Sequence, residues 1–231
     1  MIKFLKQSFF FKDKSGKDPV VDYVVKMCNA YNKKNFMNTS LYDAEFSVVD
    51  TETTGLDINT AKIINIAAVK IKNFKIIDYY NAFINPGMKI NPDSIKWHGI
   101  SDDMVRDKPH VIEVLPEFMR FIKNSIIVGH HIKFDMDMIS KEMFDTYGCS
   151  IKQRCLDTMF IYTRGVIKRD DHVSLDFLLD LYKVKCIGRH TALGDAMATA
   201  EVFNKMIMQI SGEYKKVSEL FELQKDNTAN M

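Results

Sequence analysis

Long apolar runs are missing from this 231-residue chain, and no stretch approaches the ~20 consecutive apolar residues that a membrane-crossing helix requires. The opening Met1–Phe11 has the charge and greasiness of a secretory signal, but Lys6 and Lys12 interrupt it well short of the usual apolar length. Cysteine is scarce and irregular, at 28, 149, 155 and 186 with no CxxC pair, which sets aside a zinc ribbon or a disulfide framework. Reduced thiols and no export or membrane signal make the cytoplasm the expected location. Proline is rare (5 residues), and there is no internal repeat or low-complexity linker. An excess of one charge is missing too: 32 Lys plus Arg face 30 Asp plus Glu, for a net +2, so no basic-patch polyanion binder announces itself.

What is present is the composition of a globular chain, 46% hydrophobic and 27% charged. Residues 1–42 read as a basic extension, since the first 40 hold eight lysines against three aspartates, a net +5. After Asp18-Pro19, apolar residues at 20, 21, 24, 25 and 27 predict a short amphipathic helix that packs on the body or on a partner. From residue 43 one domain is expected to run to 211, followed by a tail over 212–231. Short β-rich runs at 45–50, 62–71 and 76–84, joined by brief loops, predict an antiparallel meander. A helix is predicted over 111–123, then a buried parallel strand at Ile126–Gly129, then helices over 135–147, 157–164, 174–182 and 191–211. Strands first and strand–helix alternation afterwards argue for a mixed sheet with helices on its faces.

Three acidic segments need explaining. In Phe46-Ser-Val-Val-Asp50-Thr-Glu52-Thr-Thr-Gly55-Leu56 an apolar strand ends in two acids whose period-2 spacing puts them on one face. Like charges side by side repel unless a cation sits between them. Asp135 opens a predicted helix just after the buried strand, and His190-Thr-Ala-Leu-Gly-Asp195 stands at the start of the longest helix. On an ideal helix His190 and Asp195 would lie about 140° apart, so His190 belongs just ahead of it. Singly, each has an ordinary alternative: solvated loop acids for Asp50 and Glu52, a helix-dipole carboxylate for Asp135, a capping imidazole for His190. Together, each acid ends or opens an apolar element, which solvated acids have no reason to do.

The segments Asp50-x-Glu52-Thr-Thr-Gly, Gly129-His130-x-x-x-Phe134-Asp135 and His190-x-Ala-Leu-x-Asp195-Ala, in this order, resemble the three motifs of the DEDDh 3′–5′ exonucleases. That superfamily includes the epsilon proofreading subunit of bacterial DNA polymerase III, RNase T and oligoribonuclease. The resemblance spans roughly residues 43–210, and Phe83-Ile-Asn-Pro86, His98-Gly-Ile100-Ser-Asp, Leu156-Asp157-Thr158 and Ser174-Leu175-Asp176 agree with it. It implies an α/β, RNase H-like exonuclease fold: a five-stranded mixed sheet, an antiparallel meander continued by parallel strands, flanked by helices. Two departures stand out. His131 occupies a position where the family commonly has Asn, and Asn65 replaces a Glu associated with the terminal nucleotide.

A phosphodiester resists hydrolysis because its charge repels the nucleophile and its leaving alkoxide is poor; two divalent ions about 3.5–4 Å apart answer both difficulties. The resemblance implies Asp50, Glu52, Asp135 and Asp195 as ligands of two Mg²⁺ (or Mn²⁺), hard ions suited to a carboxylate set without cysteine. It implies His190 as the general base. Thr53, Thr54 and Leu56, with Gly55 allowing close approach, and His130 are implied in binding the substrate. The implied reaction is removal of nucleoside 5′-monophosphates from 3′ ends. DNA, single-stranded or frayed, is favoured because the Asp-Thr-Glu-Thr-Thr-Gly-Leu form looks closest to the epsilon-like branch. An exoribonuclease of RNase T or oligoribonuclease type shares the same residues, and an inactive nucleic-acid-binding scaffold is the reading from another class. Gln7-Ser-Phe-Phe-Phe11 resembles the peptide with which replication proteins bind the sliding clamp, so a clamp or a DNA polymerase is an expected partner. It reads equally as a hydrophobic segment docked on the body.

Overall fold

The computed structural model describes residues 18–225. The lysine-rich start of the chain, with the segment resembling a clamp-binding peptide, lies outside them. Helix α1 (Pro19–Asn32) begins as its sequence dictates: Pro19 takes the first helical position, and the Asp18 carboxylate accepts from Val20 N at 2.8 Å. It packs on the body, burying Val24, Cys28 and Tyr31, and the Tyr31 hydroxyl donates to Ser125 O at 2.9 Å.

Strands β1 (Glu45–Thr53), β2 (Ile63–Lys72) and β3 (Lys75–Phe83) form the expected antiparallel meander. Strand β4 (Ile126–Gly129) joins β1 in parallel, with Phe46 opposite Ile126 and Val48 opposite Val128; β5 (Leu156–Asp157) joins β4 in parallel. The order is β3-β2-β1-β4-β5, so the strand bearing the first two acids is central. β5 has two residues where a helix is expected from 157; Asp157 instead closes the strand and caps the short helix α6 (Thr158–Phe160), accepting from Met159 N at 2.9 Å. That helix widens into one π-turn, Ile161–Val166.

Helices cover both faces, as a sheet buried on two sides requires. On one lie α7 (Leu175–Leu181), α8 (Ala192–Ile210) and α9 (Val217–Glu222), packed on Phe46, Val48, Ala67 and Val69; Phe46 and Phe203 meet edge to face with centroids 5.1 Å apart. On the other lie α1, α4 (Val111–Ile122) and α5 (Lys133–Tyr147), packed on Val49, Ile66, Ala68 and Ile127. Pro116 inside α4 cannot donate to Ile112 O, and the Tyr147 hydroxyl of α5 supplies that hydrogen bond at 2.5 Å. Two short helices not expected from the sequence, α2 (Pro92–His98) and α3 (Asp102–Val105), rest on a small cluster of Ile64, Ile90, Ile100 and Val105.

The expected boundaries at 42 and 211 do not coincide with breaks in packing. Residues 212–225, expected as a tail, contain α9, whose Val217, Leu220 and Phe221 are buried in the same core as α8. Ser40 bridges Lys216, and Leu41 N donates to Lys215 O at 2.8 Å, so the connector and this last helix hold each other. Replacing a fully buried leucine leaves a cavity. Leu220→Ala is expected to lower unfolding free energy by about 2–5 kcal/mol, measured by urea denaturation, a loss that a solvated tail could not produce.

Candidate active site

Alternation along β1 sends Phe46, Val48, Asp50 and Glu52 to the α8 side of the sheet and Ser47, Val49 and Thr51 to the α5 side. The strand continues past Asp50 to Thr53, and its pairing with β2 is broken by a register shift between Glu52 and Thr53. The two acids therefore emerge where α8 begins. Asp195, in the first turn of α8 and buried, meets them there: one carboxylate oxygen from each of Asp50, Glu52 and Asp195 lies within 4.8 Å of the others. Asp135 arrives from the opposite layer, in the first turn of α5, and its Oδ1 accepts from Thr51 N at 2.9 Å and Thr51 Oγ1 at 2.6 Å.

Gathering these groups away from water raises their proton affinity. Burial, then the charges of Asp135, Glu52 and Asp195, holds Asp50 well above the usual carboxylate range. Glu52 is pushed up to about 7 by burial and then by Asp195 and Asp135. Asp135 is pushed up to about 7 by burial, although the two Thr51 donors pull the other way.

Sequence reasoning passed over Arg189, whose guanidinium Nη1 lies 2.6 Å from Asp195 Oδ2 and whose Nε lies 2.9 Å from Asp176 Oδ1. Its only trace in the sequence is its place beside His190; which acids it reaches is decided by the fold. Cys186 was passed over as well. Its thiol approaches Asp195 Oδ1 at 3.5 Å, and burial, ahead of Asp195, pushes it up to about 11, which keeps it protonated and out of a set of oxygen ligands.

His190 precedes α8, as its spacing to Asp195 requires, on left-handed backbone (φ +63°), and its N–H donates to Asp195 Oδ2 at 3.2 Å. Thr191 caps the helix by accepting from Gly194 N at 3.2 Å. The loop before His190 lies so close on the first turn of α8 that a Cβ at Gly194 would sit 2.1 Å from Gly188 O. Glycine at 194 is therefore what allows Arg189 and His190 to reach the acids.

Beside the carboxylates opens a cleft of about 620 Å³, with Glu52 and Thr53 at its floor and Leu56, Trp97 and Phe134 on its walls. Of the residues expected to bind substrate, Thr53, Gly55 and Leu56 line it. Thr54 does not: its Oγ1 accepts from Lys62 N at 3.0 Å and its N–H donates to Lys62 O at 2.9 Å, closing the loop behind the cleft. His130 is also off the cleft wall, its Nδ1 2.9 Å from Thr158 Oγ1, and burial pushes it down to about 3, a neutral imidazole. Asn65 is buried and spends its amide on Asn81 Oδ1 (2.8 Å) and Ala82 O (2.9 Å), linking β2 to β3. Among the described residues no helix is long and apolar enough to cross a membrane.

The chain is similar to known proteins. The RNase T exonuclease family matches residues 47–203. The PolC-type DNA polymerase III of Caldanaerobacter subterraneus subsp. tengcongensis is 39% identical over 179 residues, 77% of this chain and 13% of that protein. That of Thermotoga maritima is 35% identical over 175 residues, 75% of this chain and again 13% of the relative. The chain thus spans about an eighth of the length of these curated relatives. Two solved structures share the fold at lower identity. Exonuclease X in complex with 5′ overhanging duplex DNA has a TM-score of 0.59 at 22% identity, covering 76% of this chain and 98% of that one. The nuclease domain of 3′hExo, a DEDDh family member bound to rAMP, has a TM-score of 0.63 at 17% identity, covering 74% and 95%. Because the matched segment runs from β1 into α8 and takes in every acid of the cluster, this chain belongs to the RNase T exonuclease family.

Proposed function

We propose that the protein is a metal-dependent 3′–5′ exonuclease that hydrolyses the terminal phosphodiester of DNA and releases nucleoside 5′-monophosphates. The observation that carries this reading is the convergence of the Asp50, Glu52 and Asp195 carboxylates within 4.8 Å beside a cleft of about 620 Å³, inside the size range of small-ligand sites. DNA is favoured because the relatives above 30% identity are DNA polymerases. A polymerase, whose mispaired primer ends are the substrate, is the partner this supports.

The donor set fits hard divalent cations. Its members are carboxylate oxygens, the nearby thiol is protonated, and the Arg189 guanidinium leaves Asp50 and Glu52 without an ion pair among the described residues. Asp50, Glu52, Asp195 and, across Thr51, Asp135 would hold Mg²⁺ or Mn²⁺. When bound, such ions supply the Lewis-acid charge stabilisation that attack and departure at phosphorus require.

The chain's own side chains supply binding and proton transfer. Leu56, with 85% of its surface exposed, and Trp97 offer apolar walls to the terminal base and sugar. A Cβ at Gly55 would meet no protein atom within 4 Å, and its backbone is not left-handed, so the fold itself makes no demand for glycine there. A bare backbone at that point serves the ligand. His190, held ahead of α8, takes the proton from the attacking water on a ring nitrogen. Arg189 balances Asp195 and steadies the segment that carries His190.

With Mg²⁺ and 5′-labelled single-stranded DNA, the protein is expected to give a ladder shortening stepwise from the 3′ end. The ladder should vanish with EDTA and in Asp50→Ala, fall at least about 100-fold in His190→Ala, and be weaker on RNA; internal cuts would overturn the assignment. Gly194→Ala, which drives a methyl group into Gly188 O, is expected to lower activity as severely as His190→Ala while the core helices stay folded by circular dichroism. The raised carboxylates also set a pH dependence. Glu52 and Asp135, near 7 in the folded protein against about 4 unfolded, bind protons more tightly when folded, so their contribution is complete below pH ~4 and is lost as pH rises to about 7. Metal-free protein should therefore lose melting temperature between pH 5 and 8 relative to Glu52→Gln, and saturating Mg²⁺ should abolish that difference.

A further inference from the structure

Trp97 is the single tryptophan of the chain, next to last in the seven-residue α2, and 70% of its surface is exposed. An indole left so exposed adds little to the fold, since its stabilising power comes from burial. It nevertheless stands at a defined place. Together with Leu56 and Phe134 it walls the cleft, and its ring meets the His190 imidazole edge to face, with centroids 5.9 Å apart and planes at 71°.

The two partners of that contact are held very differently. α2 is fixed at both ends: Asn91 accepts from Asp93 N at 2.9 Å and donates its own N–H to Thr54 O at 3.1 Å, and Gly99 closes the helix in left-handed conformation. Ile90, Ile95 and Ile100 pin it to Ile64 of β2. The His190 ring, on left-handed backbone, has around it the Arg189 guanidinium, whose Nη1 lies a long 3.5 Å from His190 Nδ1, and the indole. The indole is therefore the apolar support that comes to the imidazole from a rigid, sequence-distant element.

We propose that Trp97 is a positioning residue through which a nucleobase in the cleft sets the orientation of His190. This rests on the reading of His190 as proton acceptor and of the cleft as the seat of the 3′-terminal nucleotide. A base stacked against the cleft face of the indole restricts rotation of that side chain, and the edge of the ring then holds the imidazole toward the carboxylates. An empty or baseless cleft leaves the indole free to turn and the imidazole unsupported. The arrangement makes proton removal depend on a correctly seated terminal base.

The test uses the full chain with Mg²⁺ and single-turnover cleavage at saturating oligonucleotide, so that chemistry is read separately from binding. Trp97→Ala is expected to lower the cleavage rate about tenfold, beyond any change in apparent affinity, and Trp97→Phe, which keeps an aromatic edge, to restore most of it. On an oligonucleotide ending in an abasic 3′ nucleotide, the wild type should slow to the rate of Trp97→Ala, and Trp97→Ala should slow no further. Because the chain has one tryptophan, its emission should also change in His190→Ala and on adding oligo(dT) to the inactive Asp50→Asn variant. Weaker binding by Trp97→Ala at an unchanged rate, or base removal and Trp97→Ala acting independently, overturns the positioning role. Wild-type cleavage by His190→Ala overturns the underlying proton-acceptor reading instead, and the two failures are told apart by which variant stays active.

Discussion

The mutual repulsion of carboxylates brought together out of water is the constraint on which the rest of this structure depends. Asp50 and Glu52 share a face of the central strand, and Asp195 is delivered to them by the first turn of α8. No ion pair reaches either strand acid among the described residues, and all three of Asp50, Glu52 and Asp135 hold protons more tightly than ordinary acids. Such a cluster persists only if the surrounding framework is rigid enough to over-determine it. The framework is a sheet with β1 at its centre and helical layers on both faces. Strand geometry also explains why the fourth acid stands apart. Thr51 points to the face opposite Asp50 and Glu52, and it is Thr51 that Asp135 engages from the α5 layer.

A second ring of interactions keeps the first in place. Glu142, two turns after Asp135 on α5 and buried, accepts from Ile63 N and Lys62 Nζ, each at 3.4 Å, at the point where β1–β2 pairing shifts register. His130 meets Thr158, and His131 N donates to Asp157 Oδ1 at 3.2 Å, tying β4, β5 and the start of α5 together. His131 itself is left-handed (φ +53°), a conformation that asparagine adopts more readily than most residues. The asparagine common at this position in the family thus has a backbone reason, and the imidazole here stacks on that of His172, with centroids 4.9 Å apart.

Much of this was legible in the sequence, for reasons of periodicity. Alternation in β1 foretold that Asp50 and Glu52 share a face, and a five-residue spacing foretold that His190 lies off the helix bearing Asp195. Long amphipathic helices and the buried run 126–129 could be read for the same reason. What escaped has no such signature. β5 is two residues long, too short for any period, and α9 offers only Val217, Leu220 and Phe221, whose burial is decided by the groove that receives them. The partners of Arg189, Cys186 and Thr54 are set by chain segments that meet only in three dimensions. The motif implies the backbone around Thr54 as a substrate contact, and nothing in it signals that the Thr54 hydroxyl accepts from Lys62 N.

Arg189 gives the site the character of an ion exchanger. Its guanidinium rests on the same Asp195 oxygen that accepts the His190 N–H, with Asp176 gripping its other edge. A cation held at Asp195 would meet a carboxylate already paired from within, so its affinity would be a difference between two cations rather than the strength of one. A guanidinium released from Asp195 would still have Asp176 to pair with, next to the segment that carries His190.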